Sequence, residues 1–219
     1  MSDRFLAFFS NFDFEDGFPP EVAARLRGSI TERERLVFVC SDPAGHEKLD
    51  RYACRDYEWF KNIGIEFAER DVIDDRVTPA RAIQIIRAAS CLFLMGGDTA
   101  RQMQFLREYS LSGAIRESGA PVLGLSAGAI NMGPLSYMAT AMLAVPASEG
   151  LGLADITVAP HYNRRRDTPG IMEEIKAVSR RRPVYAMCDG SAIFVQGDKI
   201  EMLGEIYQLD HGMIEGVSP

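Results

Sequence analysis

The stretch Pro121-Val122-Leu123-Gly124-Leu125-Ser126-Ala127-Gly128 joins a short apolar run to a turn of small residues, and Ala129–Met132 continues it with a helical pattern. An apolar run of this length between turn residues predicts a buried strand. Gly124–Gly128 matches the G-x-S-x-G pattern, in which a serine lies on a sharp turn between a strand and a helix. The stretch therefore predicts a strand, a nucleophile elbow at Ser126 and a helix.

Further apolar runs alternate with helical patterns through the first half of the chain. With Pro121–Leu125, the predicted strands are Arg4–Ser10, Leu36–Cys40, a third strand that starts at Ile65–Phe67, and Cys91–Met95. The predicted helices are Pro20–Ile30, Glu47–Ile63 and a segment from the Thr78-Pro79 cap to Ala89. Short apolar strands separated by helices are joined by right-handed crossovers. We therefore predict an α/β fold with a mainly parallel, doubly wound sheet and helices on both faces.

The second half has a different pattern. Thr157–Ala159 and Val184–Met187 predict strands, with a helix at Ile171–Ser179 between them. Ala192–Gln196 and Lys199–Leu203 flank Gly197-Asp198, which predicts a C-terminal hairpin. Because no linker, repeat or low-complexity segment interrupts the chain, we expect one domain over residues 1–219.

Composition narrows the classes of function. The 219 residues are 47% hydrophobic and 25% charged, which is typical of a globular protein, and the net charge is −7. This negative charge disfavours binding of the protein to nucleic acid or to anionic membranes. An acidic substrate would need a local basic pocket. The four cysteines form no CxxC pair and the three histidines form no cluster with metal-ligand spacing. We expect reduced thiols, no metal and a cytoplasmic location.

Active sites in open parallel sheets lie at the carboxyl ends of the strands. Gly96-Gly97-Asp98-Thr99 follows the fourth predicted strand, so it should lie beside the elbow. Paired glycines allow close approach of the backbone, and the amides of Gly97 and Ala127 could bind an oxyanion. Alternatively, the segment is a tight turn in which Asp98 or Thr99 caps a helix that continues through Glu108. The two interpretations are compatible.

A serine nucleophile needs a base, and two histidines are candidates. His161, in Pro160-His161-Tyr162, follows a predicted strand. His211 lies near the C-terminus, where α/β-hydrolases keep their histidine, and Asp189 would complete a triad of that type.

These motifs together resemble the peptidase E family. The resemblance rests on Leu92–Thr99, Gly124–Ala129, Gly150–Leu153 and Pro160–Tyr162. The family comprises aspartyl dipeptidases related to cyanophycinases, with a class I glutamine amidotransferase-like fold, a three-layer sandwich of the flavodoxin type. The resemblance implies Ser126 as nucleophile, His161 as base, and the amides of Gly97 and Ala127 as the oxyanion hole. It favours His161 over His211.

The motifs do not by themselves assign the third member of the triad or the residues that contact substrate. Members of the family carry an acid about 15 residues after the serine, but Met138–Ala144 contains none. We choose Glu149, which precedes the Gly150–Leu153 motif, and keep Asp189 as the other candidate. Among Arg164–Arg166, Arg165 is our choice for a carboxylate clamp, although a solvated basic turn paired with Asp167 explains them as well. Asp98 and Asp189 are further candidates for binding substrate.

We therefore predict a serine peptidase that hydrolyses short peptides through an acyl-enzyme and without a cofactor, with N-terminal aspartate as the candidate specificity. The expected partner is a small peptide substrate, and the expected oligomeric state is a monomer or homodimer. An α/β-hydrolase-type esterase using Ser126, Asp189 and His211 is one alternative. A catalytically silent binding module of the same fold is the other.

Overall fold

The computed structural model describes residues 3–137, 147–163 and 171–217. Within these ranges the strands, numbered in chain order, are β1 (Leu6–Phe9), β2 (Arg35–Val39), β3 (Glu69–Ile73), β4 (Cys91–Leu94), β5 (Val122–Leu125), β6 (Leu135–Ser136), β7 (Ser148–Glu149), β8 (Val158–Ala159), β9 (Val184–Met187), β10 (Ala192–Gln196), β11 (Lys199–Leu203), β12 (Ile206–Asp210) and β13 (Met213–Gly216). The helices are α1 (Pro20–Ser29), α2 (His46–Asn62), α3 (Pro79–Arg87), α4 (Thr99–Glu108), α5 (Leu111–Glu117), α6 (Ala127–Met132) and α7 (Ile171–Ser179).

A seven-stranded sheet in the order β11-β10-β1-β5-β4-β2-β3 forms the centre of the fold. Neighbours from β1 to β3 in this order are parallel, while β10 and β11 are antiparallel. Every residue of β1, β4 and β5 is buried, so both faces of the sheet are covered. The predicted α/β fold with a mainly parallel sheet is confirmed, and so is the C-terminal hairpin.

The third strand starts later than predicted. Ile65 and Phe67 are buried but belong to a loop, and β3 follows them at Glu69–Ile73. β3 lies at the edge of the sheet, and its exposed side chains form ion pairs instead of apolar contacts. Arg35 of β2 forms ion pairs with Glu69 and Asp71. A strand stabilised in this way lacks the continuous apolar run that reveals a buried strand.

A second sheet of four strands, in the order β13-β12-β9-β8, was not predicted. β8 and β9 correspond to the predicted strands Thr157–Ala159 and Val184–Met187, but β12 and β13 were missed. β8 and β9 are parallel, with Val158 opposite Tyr185. Residues that follow these two strands therefore meet at the same edge of the sheet, which positions the site described below.

Within the described residues, no helix combines the length and apolar character that crossing a bilayer requires.

Candidate active site

Ser126 lies on a strained turn at the carboxyl end of β5. Its φ of 51° and ψ of −108° are outside the conformations that a serine ordinarily adopts. Its N–H donates to Phe9 O of β1 at 2.9 Å, and its carbonyl accepts from Ile130 N at 3.1 Å. Although Ser126 occupies the N-cap of α6, its side chain caps nothing. The hydroxyl is therefore directed away from the helix that follows it.

Two glycines make this turn possible. A Cβ on Gly128 would overlap the carbonyl group of Leu94 in β4, and a Cβ on Gly124 would lie 2.7 Å from Ala129 N. Contacts this close with backbone atoms cannot be relieved by a side-chain rotation. The G-x-S-x-G spacing thus reflects how tightly α6 packs against β4 and β5.

His161 meets Ser126 from the other sheet. Its Nε2 lies 2.7 Å from Ser126 Oγ. His161 follows β8 in a turn where its φ is 59°, and Tyr162 N donates to Met187 O at 3.0 Å to hold this turn against β9. The sequence separates Ser126 and His161 by 35 residues. The fold therefore brings together the two residues that the sequence motifs singled out.

Asp189, and not Glu149, contacts the histidine ring. His161 Nδ1 lies 3.0 Å from Asp189 Oδ1. With Nδ1–H donating to Asp189, Nε2 is free to accept the proton of the Ser126 hydroxyl. Both ring nitrogens thus have partners, so the choice of Glu149 as the orienting acid is corrected.

Glu149 belongs to a different part of the surface. It is exposed in β7, opposite Leu135 of β6, and Arg107 Nη2 donates to its backbone carbonyl at 2.9 Å. The signal that identifies Asp189 is its place after β9, the parallel neighbour of the strand that precedes His161.

His211 does not join the site. It lies in the turn between β12 and β13, where its Nδ1 is 2.8 Å from Asp210 Oδ1 and 78% of its side chain is exposed. Since the Ser126 hydroxyl is paired with His161, the esterase triad of Ser126, Asp189 and His211 is not assembled.

The Gly96-Gly97 loop lies beside the elbow. Gly97 has a φ of 137°, and a Cβ there would overlap Ser41 Oγ, which donates to Gly96 O at 2.6 Å. Asp98 caps α4 by accepting from Arg101 N at 2.9 Å. The predicted capped turn is therefore present, and it fixes the loop that carries the Gly97 amide.

A cleft of about 570 Å³ opens over the serine, with Ser126, His161, Gly97 and Asp98 in its lining. Its wall carries three cations, namely Lys48, Arg55 and Arg101. They come from α2 and α4, and the sequence patterns did not identify them. Arg165, the predicted clamp, lies outside the described residues, as do its neighbours Arg164 and Arg166.

Two of these three cations are already paired. Arg101 forms ion pairs with Asp42 at 3.0 Å and Asp98 at 3.7 Å, and Arg55 Nε donates to Asp56 Oδ1 at 2.7 Å. In the part of the chain that the structure describes, Lys48 faces the ring of Tyr52 and pairs with no carboxylate. Lys48 is therefore the cation of the wall whose charge is not balanced by a neighbour.

A separate cluster of histidine and carboxylates is explained by ion pairs. His46, Asp74 and Asp75 place ligand atoms within 4.8 Å of one another. Asp75 is paired with His46, and Asp74 accepts from Arg76 Nε at 2.8 Å. Both carboxylates thus have partners, so ion pairs account for the cluster.

Comparison with known proteins identifies the family. The profile described as Peptidase family S51 matches residues 18–203. The chain belongs to this family. It is 32% identical over 170 residues to Peptidase E of Shewanella amazonensis, covering 71% of this chain and 69% of that protein. It is 32% identical over 136 residues to Peptidase E of Shewanella sp. ANA-3, covering 56% of this chain and 57% of that protein.

The fold of this S51 peptidase is also found among solved structures. The structure of a peptidase from an acI-B1 actinobacterium superposes with a TM-score of 0.74 at 13% identity, covering 98% of this chain and 94% of that one. At this identity the similarity concerns the fold alone. The resemblance to the peptidase E family is confirmed by the family match and the curated relatives, and the chain is a peptidase.

The elbow glycine of this S51 peptidase is expected to tolerate no side chain. Gly128→Ala should destabilise the fold by roughly 1–3 kcal/mol, because the new methyl group overlaps the backbone of β4. Gly28→Ala in α1 is the matched control, since nothing lies within 4 Å of its Cβ position. Urea unfolding of the two variants measures the difference. Equal effects of the two substitutions would contradict the packing argument.

Asp56, in the wall of the cleft, is a buried carboxylate. Only 1% of its side chain is exposed, and within the described residues its Oδ2 has no hydrogen-bond partner. Burial raises the pKa of Asp56 from 3.8 to about 6, although Arg55 opposes the shift. Between pH of about 4 and about 6 the folded state binds this proton more tightly than the unfolded state. The free energy of unfolding therefore falls as pH rises through this window.

Removing the charge of Asp56 is expected to stabilise the protein above pH 6. At pH 7.5, Asp56→Asn should raise the free energy of unfolding by an amount on the order of 3 kcal/mol, and this gain should shrink as pH approaches 4. Urea unfolding of both proteins at several pH values measures it. Asp50→Asn on the same helix is the control, and it should lower the free energy of unfolding, because hydrogen bonds from Arg76 lower the pKa of Asp50. A gain from Asp56→Asn that does not depend on pH would contradict the assignment.

Proposed function

We propose that this S51 peptidase is a serine-type hydrolase of short peptides, with Ser126 as nucleophile, His161 as general base and Asp189 as the residue that orients His161. The observation that carries the proposal is the 2.7 Å distance between Ser126 Oγ and His161 Nε2, at the floor of a cleft. A serine hydroxyl is a weak nucleophile until a base within hydrogen-bond reach accepts its proton.

The geometry supports acyl transfer in two stages. Ser126 Oγ attacks the scissile carbonyl while its proton moves to His161 Nε2, and the resulting imidazolium then protonates the leaving amine. A water deprotonated by His161 then attacks the acyl carbonyl, and the imidazolium returns its proton to Ser126 Oγ as the acyl group leaves. The negative charge on the tetrahedral oxygen falls beside the Gly96-Gly97 loop and the start of α6, where the amides of Gly97 and Ala127 are the proposed donors.

Asp189 supplies the acid of the proposed triad, although the segment that follows Ser126 contains none. Its contact with Nδ1 favours the tautomer in which Nε2 accepts a proton, and its charge stabilises the imidazolium. The proposal of a catalytically silent module depended on the lack of such an acid, so the position of Asp189 favours the enzyme.

The cleft supports a short substrate with an acidic group. Its volume of about 570 Å³ is in the range of small-ligand sites and suits a dipeptide better than a protein. The unbalanced charge of Lys48 on the wall favours a carboxylate in the substrate, despite the net charge of −7 for the chain. We therefore propose peptides with N-terminal aspartate as substrates, and a cytoplasmic location in line with the four unpaired cysteines.

Loss of either reacting group is expected to abolish turnover. Ser126→Ala and His161→Ala should each lower kcat for aspartyl dipeptides and aspartyl p-nitroanilide by roughly 10⁴- to 10⁶-fold. His211→Ala is the matched control and should retain the activity of the native enzyme. The assay is release of p-nitroaniline or of free aspartate. Equal rates for the native enzyme and Ser126→Ala would refute the proposed function.

Two carboxylates distinguish the proposed triad from the one predicted by sequence. Asp189→Asn should lower kcat by roughly 10²- to 10⁴-fold, because the amide no longer fixes the reactive tautomer or stabilises the imidazolium. Glu149→Gln should change kcat less than threefold, since the Glu149 side chain is exposed and, within the described residues, makes no contact with the ring. The same assay measures both variants. A larger loss in Glu149→Gln than in Asp189→Asn would reverse the assignment.

A further inference from the structure

Two consecutive residues at the end of β1 contact all three members of the proposed triad. Phe9 O accepts the hydrogen bond from Ser126 N at 2.9 Å. Ser10, the next residue, is fully buried, and its Oγ accepts from His161 N at 2.8 Å. The same Oγ lies 3.2 Å from Asp189 Oδ1. No sequence motif singled out Ser10, because its partners are more than 150 residues away along the chain.

We infer that Ser10 is a positioning residue, which fixes the backbone of His161 and the carboxylate of Asp189 in the geometry that catalysis requires. This inference rests on the proposed function, since it assigns Ser10 a role in the same reaction. Ser10 touches neither substrate nor the reacting atoms, and it acts through its two partners.

The need for such a residue follows from the exposure of the pair that it contacts. The side chain of His161 is 49% exposed and that of Asp189 is 58% exposed. A solvent-exposed ion pair gains little free energy and does not by itself hold two side chains in one arrangement. A buried hydroxyl anchored in the central sheet can do so, because packing fixes its own position.

The hydrogen-bonding capacity of Ser10 matches this role. A hydroxyl has one proton and two lone pairs. The lone pairs accept the N–H of His161, whose positive φ of 59° needs a partner that fixes the turn. The proton is shared between Met187 O at 3.0 Å and Asp189 Oδ1. Ser10 therefore ties the turn after β8 to the residues that follow β9.

The first test is Ser10→Ala, assayed on aspartyl p-nitroanilide. We expect kcat to fall about 10- to 100-fold with little change in KM, because a small displacement of the base slows proton transfer without removing a substrate contact. Labelling of Ser126 by a fluorophosphonate should slow by a similar factor. An unchanged kcat, or a loss confined to KM, would overturn the inference.

The matched control is Ser179→Ala. Ser179 is also fully buried, its Oγ also donates to a backbone carbonyl, Lys176 O at 2.9 Å, and it also accepts from a backbone amide, Gly212 N at 3.0 Å. It lies at the end of α7 and outside the site. Ser179→Ala should lower the melting temperature about as much as Ser10→Ala does but leave kcat within threefold. Equal losses of kcat in the two variants would reduce Ser10 to a structural role.

A double-mutant cycle tests whether Ser10 acts through Asp189. In the Asp189→Asn background, Ser10→Ala should cost several-fold less than in the native background, because one of its two partners is already impaired. Equal fold-losses in both backgrounds would overturn the coupling. If Ser10→Ala does not fold, the same cycle can be measured with Ser10→Cys, whose slightly larger thiol fills the site but forms weaker hydrogen bonds. If native enzyme and Ser126→Ala are equally inactive, the proposed function fails. If the native enzyme is active and Ser10→Ala has the same kcat, only this inference is refuted.

Discussion

The hydrogen bond between Ser126 and His161 joins two sheets that have no strand in common. Ser126 follows β5 of the seven-stranded sheet, and His161 follows β8 of the four-stranded sheet. The chain crosses from one sheet to the other between β9 and β10, and Asp189 lies in this crossing. Gly190 N donates to Asn11 O at 2.7 Å, which fastens the crossing to the end of β1. The geometry of the proposed triad therefore depends on how the two sheets dock.

Two of the four non-glycine residues with positive φ in the described part of the chain lie at this junction. Both residues of the proposed reacting pair, Ser126 and His161, have positive φ, at 51° and 59°. Non-glycine residues persist in such conformations only when the surrounding structure over-determines them, at a cost of roughly 1–3 kcal/mol each. For Ser126 the compensation is the close packing of Gly128 against Leu94, and for His161 it is the buried acceptor that Ser10 provides. The strained turns and the tight packing around them are parts of one arrangement.

The features that sequence could predict are local. The elbow at Ser126 requires small residues at fixed spacing, and the hairpin requires two apolar runs around Gly197-Asp198, so each is visible within a short window. The choice of Glu149 over Asp189 does not agree with the geometry. Glu149 was chosen for its place before the Gly150–Leu153 motif, and position along the chain carries little information when parallel strands bring distant segments together. The start of β3 was misplaced for a related reason, since an edge strand paired through charges has no apolar signal. Ser10 resembles any serine at the end of a strand until its distant partners are known.

The charged wall of the cleft shows how this protein arranges cations within an acidic chain. Arg55 is held by the buried carboxylate of Asp56 and lies over the ring of Trp59, 4.6 Å from its centre. A guanidinium fixed in this way is pre-organised and loses little conformational freedom when a ligand binds. Asp56 contributes to this order although its buried charge costs stability. An apolar residue in place of Asp56 would stabilise the fold more. We therefore attribute the buried carboxylate to its effect on Arg55, which it fixes in the wall of the cleft.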